Sequence, residues 1–485
     1  MNRALGAWVL AVAALAAAAA AVPSAAALTV AIAVGVAVWR WPSAALETAA
    51  FAVLAVRPSL DVFSERRLGL SEFAVNPAVV FGLGVLAVAV VLAMVRARSG
   101  QTLWPDRTLL RSHLWLLAGY GLAFLSGARL YGASGAATGV REVIRIASVV
   151  AAFLIVLWWV EGDPGRYWRG WVYLVAGMVI PIGVAAWQWA TESGNLDNEG
   201  LNRLQGTFSH PNALGPYLVP FILFAIGGLQ TSSRGRQLAR AAGALGLTVL
   251  VALTYSRTAL FVLLLGLATL PLLHSGRFGW RGVLRGLALV VLLAGLGWWL
   301  AGGLIVQRFA DVSSLGRGAW EAAQTGASEN SFTWRVINWA GLIDLGLQHP
   351  ISGHGAGMTM VLNPLVSPAN GVPYNAHNDF VRFFFEGGFL GLFCYVVYGA
   401  LLCGWLVARA RRVSAERAAS AYAVAAAWIA MFFLTGGTAE LSLQTAVQYE
   451  LYGMAALLNA PEVIKGLRSA GAARDDMLKE RAAAT

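Results

Sequence analysis

Long apolar stretches separated by short polar breaks run through most of the chain. A helix needs about 20 mostly apolar residues to cross a bilayer. Stretches that meet or approach this length lie near 4–21, 24–39, 43–57, 75–95, 113–127, 143–160, 171–190, 213–229, 241–254, 258–273, 286–304, 388–408, 418–436 and 447–460. The pattern predicts an all-α polytopic membrane protein with 12–14 transmembrane helices. The count is a range because several stretches are short and the first three are Ala-rich and weakly separated. Residues 1–25 also fit a signal peptide, with Arg3 before an apolar run and small residues after Pro23. The apolar sequence that continues at once favours a retained first span.

This divides the chain into membrane helices over 1–304, a long polar-rich segment over 305–387, further membrane helices over 388–460 and a tail over 461–485. Within the long segment, Trp334, Ile337, Leu342 and Leu345 recur at helical spacing, and the run stops at His349-Pro350. This predicts an amphipathic helix at the membrane–water interface, followed by a loop rich in glycine at Gly353, Gly355 and Gly357.

Composition agrees with the pattern. Hydrophobic residues make up 58% of the 485 positions and charged ones 12%, too few charges to cover a water-soluble protein of this size. The net charge is +11, and all but two of the 35 basic residues are Arg, the exceptions being Lys465 and Lys479. The charge reads as topology, with no call for a nucleic-acid partner. Arg96, Arg98, Arg107, Arg111, Arg166, Arg169, Arg234, Arg236, Arg240, Arg277, Arg281, Arg285, Arg409, Arg411, Arg412 and Arg417 fall in alternate loops. The positive-inside rule puts these loops and the C-terminal tail in the cytoplasm. The opposite face then carries four of the six histidines, His210, His349, His354 and His377. Cys394 and Cys403 lie nine positions apart on one apolar stretch, too far for a disulfide.

On that outer face, His377-Asn378 is followed after nine residues by Gly388-Phe389-Leu390-Gly391. An imidazole can take a proton from a hydroxyl near neutral pH, and Asp379 or Glu386 would orient it or hold its charge. The bland reading is an interfacial histidine that bonds a loop. Arg203 leads the segment Arg203-Leu204-Gln205-Gly206-Thr207-Phe208-Ser209-His210-Pro211-Asn212, and Arg257 stands in a polar break between two apolar segments. Membrane arginines usually face a cavity or a partner, although a snorkelling anchor explains Arg257 equally well. Arg141 and Arg145 share a helix face, with Glu142 as a possible counter-ion. Glu440, Gln444 and Gln448 sit at four-residue spacing before the last span. Arginine binds phosphate oxygens through a planar fork, so the set suits a diphosphate at the membrane boundary. The acidic residues of this face, Asp311, Glu321, Asp344, Asp379 and Glu386, form no metal-binding motif, and no cofactor is called for.

These residues resemble the O-antigen ligase/O-antigen polymerase superfamily of bacterial inner-membrane proteins. The resemblance lies in His377-Asn378-x9-Gly388-x-x-Gly391. It is supported by Arg203 with Gly206-Thr207-Phe208 and Pro211-Asn212, by Ser256-Arg257, and by Arg335 and Trp339 before His349-Pro350 and Gly353-x-Gly355. It spans roughly residues 200–391. The resemblance implies a metal-independent glycosyltransferase with a periplasmic active site and an undecaprenyl-diphosphate-linked glycan as donor. For a ligase, the acceptor is a sugar hydroxyl of lipid A–core oligosaccharide and the product is lipopolysaccharide. In this scheme His377 is the catalytic base. Arg203 and Arg257, with Arg141 and Arg145, hold the diphosphate, and Asn378, Asp379, Glu386, Arg335 and Gln448 support the site.

A polymerase or a protein O-oligosaccharyltransferase of the same superfamily would share these motifs. The moderate length of 305–387 favours the ligase. A transporter for an anionic solute is the alternative of a different class. It predicts broken spans near the midplane and repeated halves, and the sequence has no such repeat.

Overall fold

The computed structural model describes residues 35–63, 77–104, 106–161, 163, 165–196, 202–229, 233–273, 331–366, 373–413 and 415–459. The stretches 4–21 and 286–304, most of 24–39, the possible signal peptide, Arg277, Arg281, Arg285, Asp311, Glu321 and the tail over 461–485 lie outside them.

The described chain is a helical bundle. Its helices are α1 (Pro42–Phe51, continued by a π turn Ala52–Val56 and a 3-10 turn Arg57–Phe63), α2 (Pro77–Arg98), α3 (Arg107–Glu161) and α4 (Arg166–Thr191). After a two-stranded ribbon, β1 (Asn195–Leu196) against β2 (Asn202–Arg203), come α5 (Pro211–Gly227), α6 (Arg234–Leu253) and α7 (Arg257–Leu273). Then follow α8 (Ser331–Gly346), α9 (Thr359–Leu362), α10 (Asp379–Arg412), α11 (Ala415–Ala430, prolonged to Thr438) and α12 (Thr445–Leu457). Each apolar stretch predicted from 43 to 273 and from 388 to 460 falls on one of these helices. Among the described residues, six helices are long and apolar enough to cross a membrane (α2, α3, α4, α6, α10 and extended α11), and the chain is a multi-pass membrane protein.

Burial separates the layers. The second half of α3 is buried almost without a break from Ile146 to Val160, and every residue of α12 from Ala446 to Leu457 is buried. These two helices are the middle of the bundle. On α4, by contrast, Val172, Val175, Val179 and Ile180 are exposed, the all-round apolar character of a helix that faces lipid.

Two long helices are kinked at glycine. Gly132 (φ 60°, ψ −136°) divides α3, and Gly388 (φ 64°, ψ −162°) divides α10. The sequence reading started the last group of membrane helices at Gly388. The structure starts α10 at Asp379 and puts a break at Gly388. The first nine residues of α10 therefore belong with the polar segment.

The glycine-rich loop explains how that break is tolerated. A kink leaves backbone groups without helical partners, and buried groups of this kind must be satisfied elsewhere. His354 N–H donates to Phe385 C=O and Gly355 N–H to Glu386 C=O, each at 2.8 Å, while Phe389 N–H donates to Pro350 C=O at 2.7 Å. A Cβ on Gly388 would meet the Ile351 carbonyl carbon at 2.3 Å, and one on Gly355 would meet Gly127 Cα at the same distance. The Gly353-x-Gly355 and Gly388 signals are thus two sides of one backbone contact.

Helix α8 matches the predicted periodicity. It packs on α10 through Leu342 and Leu345, with Met358, Ala376 and Phe385, and leaves Val336 and Ile343 exposed.

The two ends of the bundle differ in charge. At one end, Arg96 pairs with Glu161, and Arg166 and Arg169 pair with Glu47 at the start of α1. Helix α3 runs from Glu161 at that end to Glu142 at the other, where the kinked start of α10 and the loops before α5 and α7 are gathered.

Candidate functional site

Three loops and one helix converge at this second end. His377 lies in the loop before α10, where Asn378 caps the helix by accepting the Val381 N–H on Oδ1 at 3.1 Å. Helix α8 fixes that loop from one side. Asn338 Nδ2 donates to Asn375 C=O and Trp339 Nε1 to Ala376 C=O, each at 2.8 Å. One turn earlier on the same helix, the Trp334 ring meets the His377 imidazole edge-on, with centroids 5.4 Å apart. Arg335 follows Trp334, which accounts for its arrival beside the histidine.

Arg203 ends β2 and is buried. Its Nε donates to Thr254 C=O and its Nη2 to Asn212 Oδ1, both at 3.0 Å. The first contact ties the residue to the end of α6, three positions before Arg257 opens α7. The second ties it to the start of α5, where His210 caps the helix by accepting Asn212 N–H on Nδ1 at 3.0 Å. Gly206 takes φ 58° in this segment, and a Cβ there would strike the Pro181 carbonyl oxygen at 2.7 Å.

The electrostatics join these pieces. Desolvation, then the charges of Arg335 and His210, lowers the His377 pKa to about 3. His210 is lowered to about 4 by desolvation from the surrounding protein and by Arg203 and Arg335, although one edge of the residue stays exposed. Burial, then the charge of Arg257, lowers Arg335 to about 10, opposed by Glu440. Arg335 therefore keeps its charge at neutral pH, and its Nε is buried with no hydrogen-bond partner among the described residues. The charges thus act in a chain: Arg335 on both imidazoles, Arg203 on His210, and Arg257 on Arg335. Such a cluster suits a multiply charged anion next to a group that can accept a proton.

Backbone conformation points to the same place. Four described non-glycine residues have positive φ, and three of them are Tyr255, His377 and Glu440. Residues held in this sparsely populated region concentrate where surrounding structure imposes a special geometry.

Other predicted residues serve elsewhere. Asp379 accepts from the Ser442 N–H and the Tyr395 hydroxyl, both at 3.0 Å, and from the Ser442 hydroxyl. Glu386 accepts from Arg382 Nε at 3.0 Å and the Thr359 hydroxyl at 2.8 Å. The expectation that either carboxylate orients the His377 ring is corrected, because both are directed at other partners. Arg145 pairs with Glu142, as its counter-ion reading anticipates, while Arg141 is exposed. Gln448 lines a small interior cavity with Tyr120, Tyr395, Tyr398 and Ser442, away from the imidazole. The four-residue spacing of Glu440, Gln444 and Gln448 does not mark one helix face, because α12 begins only at Thr445.

Two further residues are central here: Arg382, which the sequence reading did not bring forward, and Glu440, which it named only for its spacing to Gln444 and Gln448. Arg382 is buried and binds Glu142, Glu386 and the Ser442 hydroxyl. Its four-residue spacing to Glu386 was the available signal. Glu440 is also buried, beside the positive charge of Arg382.

Comparison with known proteins agrees with the family expected from the motifs. Residues 241–396 match the family model described as O-Antigen ligase. The matched region carries Arg257, Arg335, the glycine loop and the His377-to-Gly391 segment, whereas Arg203 and Glu440 lie outside it. The chain has no match among curated proteins.

Proposed function

We propose that this chain, which residues 241–396 place in the O-antigen ligase superfamily, is the ligase itself. It transfers a glycan from undecaprenyl diphosphate to a sugar hydroxyl of lipid A–core oligosaccharide, at the periplasmic face of the bacterial inner membrane. The charge of Arg335 on both His377 and His210, joined by Arg203 at His210 and Arg257 at Arg335, carries this reading. A diphosphate at the bundle end supplies the negative charge that three guanidinium groups call for, and its lipid tail has the exposed apolar helices beside it. The Arg96, Arg166 and Arg169 end is opposite, which supports a periplasmic site through the positive-inside rule.

The chemistry is a single displacement. The acceptor hydroxyl attacks the anomeric carbon, the bond from that carbon to the diphosphate oxygen breaks, and the electron pair leaves on the diphosphate. His377 takes the hydroxyl proton. One displacement inverts the anomeric configuration. An imidazole with a pKa of about 3 is a weak base, and its cationic neighbours contribute to that depression. A bound diphosphate offsets those charges and raises the basicity of the ring when both substrates are present. The arginines stabilise the departing charge. Of the other two arginines expected at the diphosphate, Arg141 is exposed and free to reach an anion at this end of the bundle only from the surface of α3, and Arg145 is held by Glu142.

The test is transfer by purified protein from lipid-linked glycan to lipid A–core, with and without chelator, against a peptide acceptor and a second donor molecule. Capped lipid A–core supports the ligase. Elongated donor would assign a polymerase, and glycosylated peptide a protein O-oligosaccharyltransferase. Movement of labelled anionic solute by reconstituted protein without any transfer would replace the enzyme with a transporter.

A further inference from the structure

Side-chain hydrogen bonds fasten the chain between α11 and α12 to two other elements, one carrying Arg257 and one following His377. At the end of α11, the Thr438 hydroxyl donates to the Leu434 carbonyl at 2.7 Å, which commits its single proton. The Thr258 hydroxyl, 3.0 Å away, is therefore the donor to Thr438. Thr258 is the second residue of α7 and follows Arg257 directly. Four positions after Thr438, the Ser442 N–H donates to Asp379 Oδ2 at 3.0 Å and the Ser442 hydroxyl donates to Asp379 Oδ1. Asp379 opens α10 two positions after His377, and the Tyr395 hydroxyl donates to the same carboxylate at 3.0 Å. Arg382 Nη1 donates to the Ser442 hydroxyl at 3.0 Å. Thr258, Asp379 and Ser442 are all buried.

Backbone conformation marks the same three segments. Tyr255 (φ 47°) lies two positions before Arg257, His377 has φ 51°, and Glu440 (φ 56°) lies between the two attachment points. A left-handed backbone outside glycine is costly and persists only where its surroundings hold it. We propose that Thr438 and Ser442 form a clasp that fixes the Arg257 segment against the His377 segment, with Thr258 and Asp379 as its two catches. A displacement needs the base on the acceptor side and the cation on the leaving-group side at one fixed separation, and a misplacement of about 1 Å can cost roughly 10²-fold. Thr258, Thr438 and Ser442 are thus positioning residues, acting through the groups they hold.

Only the kinetic arm of the test rests on the glycan-transfer reading. Thr258→Val removes the donor hydroxyl at nearly constant shape and leaves Thr438 bonded to Leu434. Ser442→Ala removes the hydroxyl contacts at the other catch. Hydrogen–deuterium exchange of full-length protein in detergent, read by mass spectrometry, follows both segments. Thr258→Val should speed exchange in the His377 segment roughly threefold to tenfold, the range that one hydroxyl bond carries. Ser442→Ala should do the same in the segment of Tyr255 and Arg257, and Thr258→Ser, which keeps the hydroxyl, should match wild type in both. With lipid-linked donor and lipid A–core, Thr258→Val and Ser442→Ala should each lower kcat at least about tenfold, with donor KM changing less than about twofold. The double variant should lose no more than the worse single one, because a clasp open at one end holds nothing. Exchange that quickens only at the substituted end, or losses of kcat that multiply in the double variant, would overturn the clasp. Far-end exchange as expected, alongside wild-type protein that performs no transfer, would overturn the ligase reading and leave the clasp supported.

Discussion

Arg203 Nε donates to the backbone carbonyl of Thr254 at 3.0 Å, joining two chain segments 51 positions apart. This contact sets Arg203 beside the loop that carries Arg257, while its Nη2 donates to Asn212 Oδ1 at 3.0 Å. Arg203→Ala should lower kcat/KM for the lipid-linked donor about 10²-fold, on the scale of roughly 3 kcal/mol for removing one preorganised donor to a developing charge. Arg203→Lys should recover only part of this, because an ammonium has no fork with which to bind Thr254, Asn212 and an anion together. Steady-state transfer kinetics measure both variants, and equal activity of the Lys variant and wild type would leave plain charge as the explanation.

His377→Ala should reduce transfer by at least about 10²-fold, the usual contribution of a positioned base. Membrane insertion and binding of the lipid-linked donor should persist, because the arginines stand on other elements. Lipopolysaccharide capping in cells and donor binding by purified protein check the two halves. Near-normal capping would remove His377 from the chemistry.

The helices were legible from the sequence, and so was much of the site. Apolar stretches of the right length located the membrane helices, and Trp334, Ile337, Leu342 and Leu345 marked α8 by their spacing. His377, Arg203 and Arg257 drew attention as polar groups beside apolar runs, and Arg335 through the family motif. Their partners were not legible. Asp379 and Glu386 lie within ten positions of His377 but bind Ser442, Tyr395 and Thr359, and no local pattern encodes contacts of that range. The helical turns of α10 before Gly388 were not legible for a related reason. Asp379, Arg382 and Glu386 make the first turns too polar for a membrane helix, and only Glu142 and Ser442 from distant segments allow them to be buried.

Gly388 holds two helices at an angle that needs φ 64°. Gly388→Ala places a Cβ 2.3 Å from the Ile351 carbonyl carbon and forces an unfavourable backbone conformation. The expected loss is roughly 1–3 kcal/mol for the backbone alone, with the clash in addition. Thermal unfolding in detergent should show a lower melting temperature than Gly404→Ala, where a Cβ on the same helix meets nothing within 4 Å.

Among the described residues, Arg382 is the one ion-pair partner of Glu386 and one of two for Glu142, and it is 3% exposed. Removing one member of a buried ion pair typically costs about 3–5 kcal/mol, because the remaining charge is left without compensation. Arg382→Ala should therefore unfold at clearly lower temperature or fail to accumulate in the membrane. Adding Glu386→Gln to Arg382→Ala should restore part of the loss by removing the stranded charge. A double variant no more stable than Arg382→Ala would show that packing of the guanidinium, and not its charge, is what the bundle requires.

Glu440 and His377 impose opposite pH dependences on stability. The Glu440 pKa is raised from 4.5 to about 8 by burial, so the folded protein favours the protonated form. Its contribution is full below pH 4.5 and is lost as the pH rises toward 8. The His377 pKa is lowered from 6.5 to about 3, so the folded protein favours the neutral ring, and stability is lost as the pH falls from 6.5 toward 3. Glu440→Gln, which cannot ionise, should gain melting temperature over wild type at pH 8 and little at pH 5. His377→Gln should gain at pH 4 and little at pH 7. Melting curves of the three proteins across pH 4–8 test both signs, and parallel profiles would show that neither group changes its proton affinity on folding.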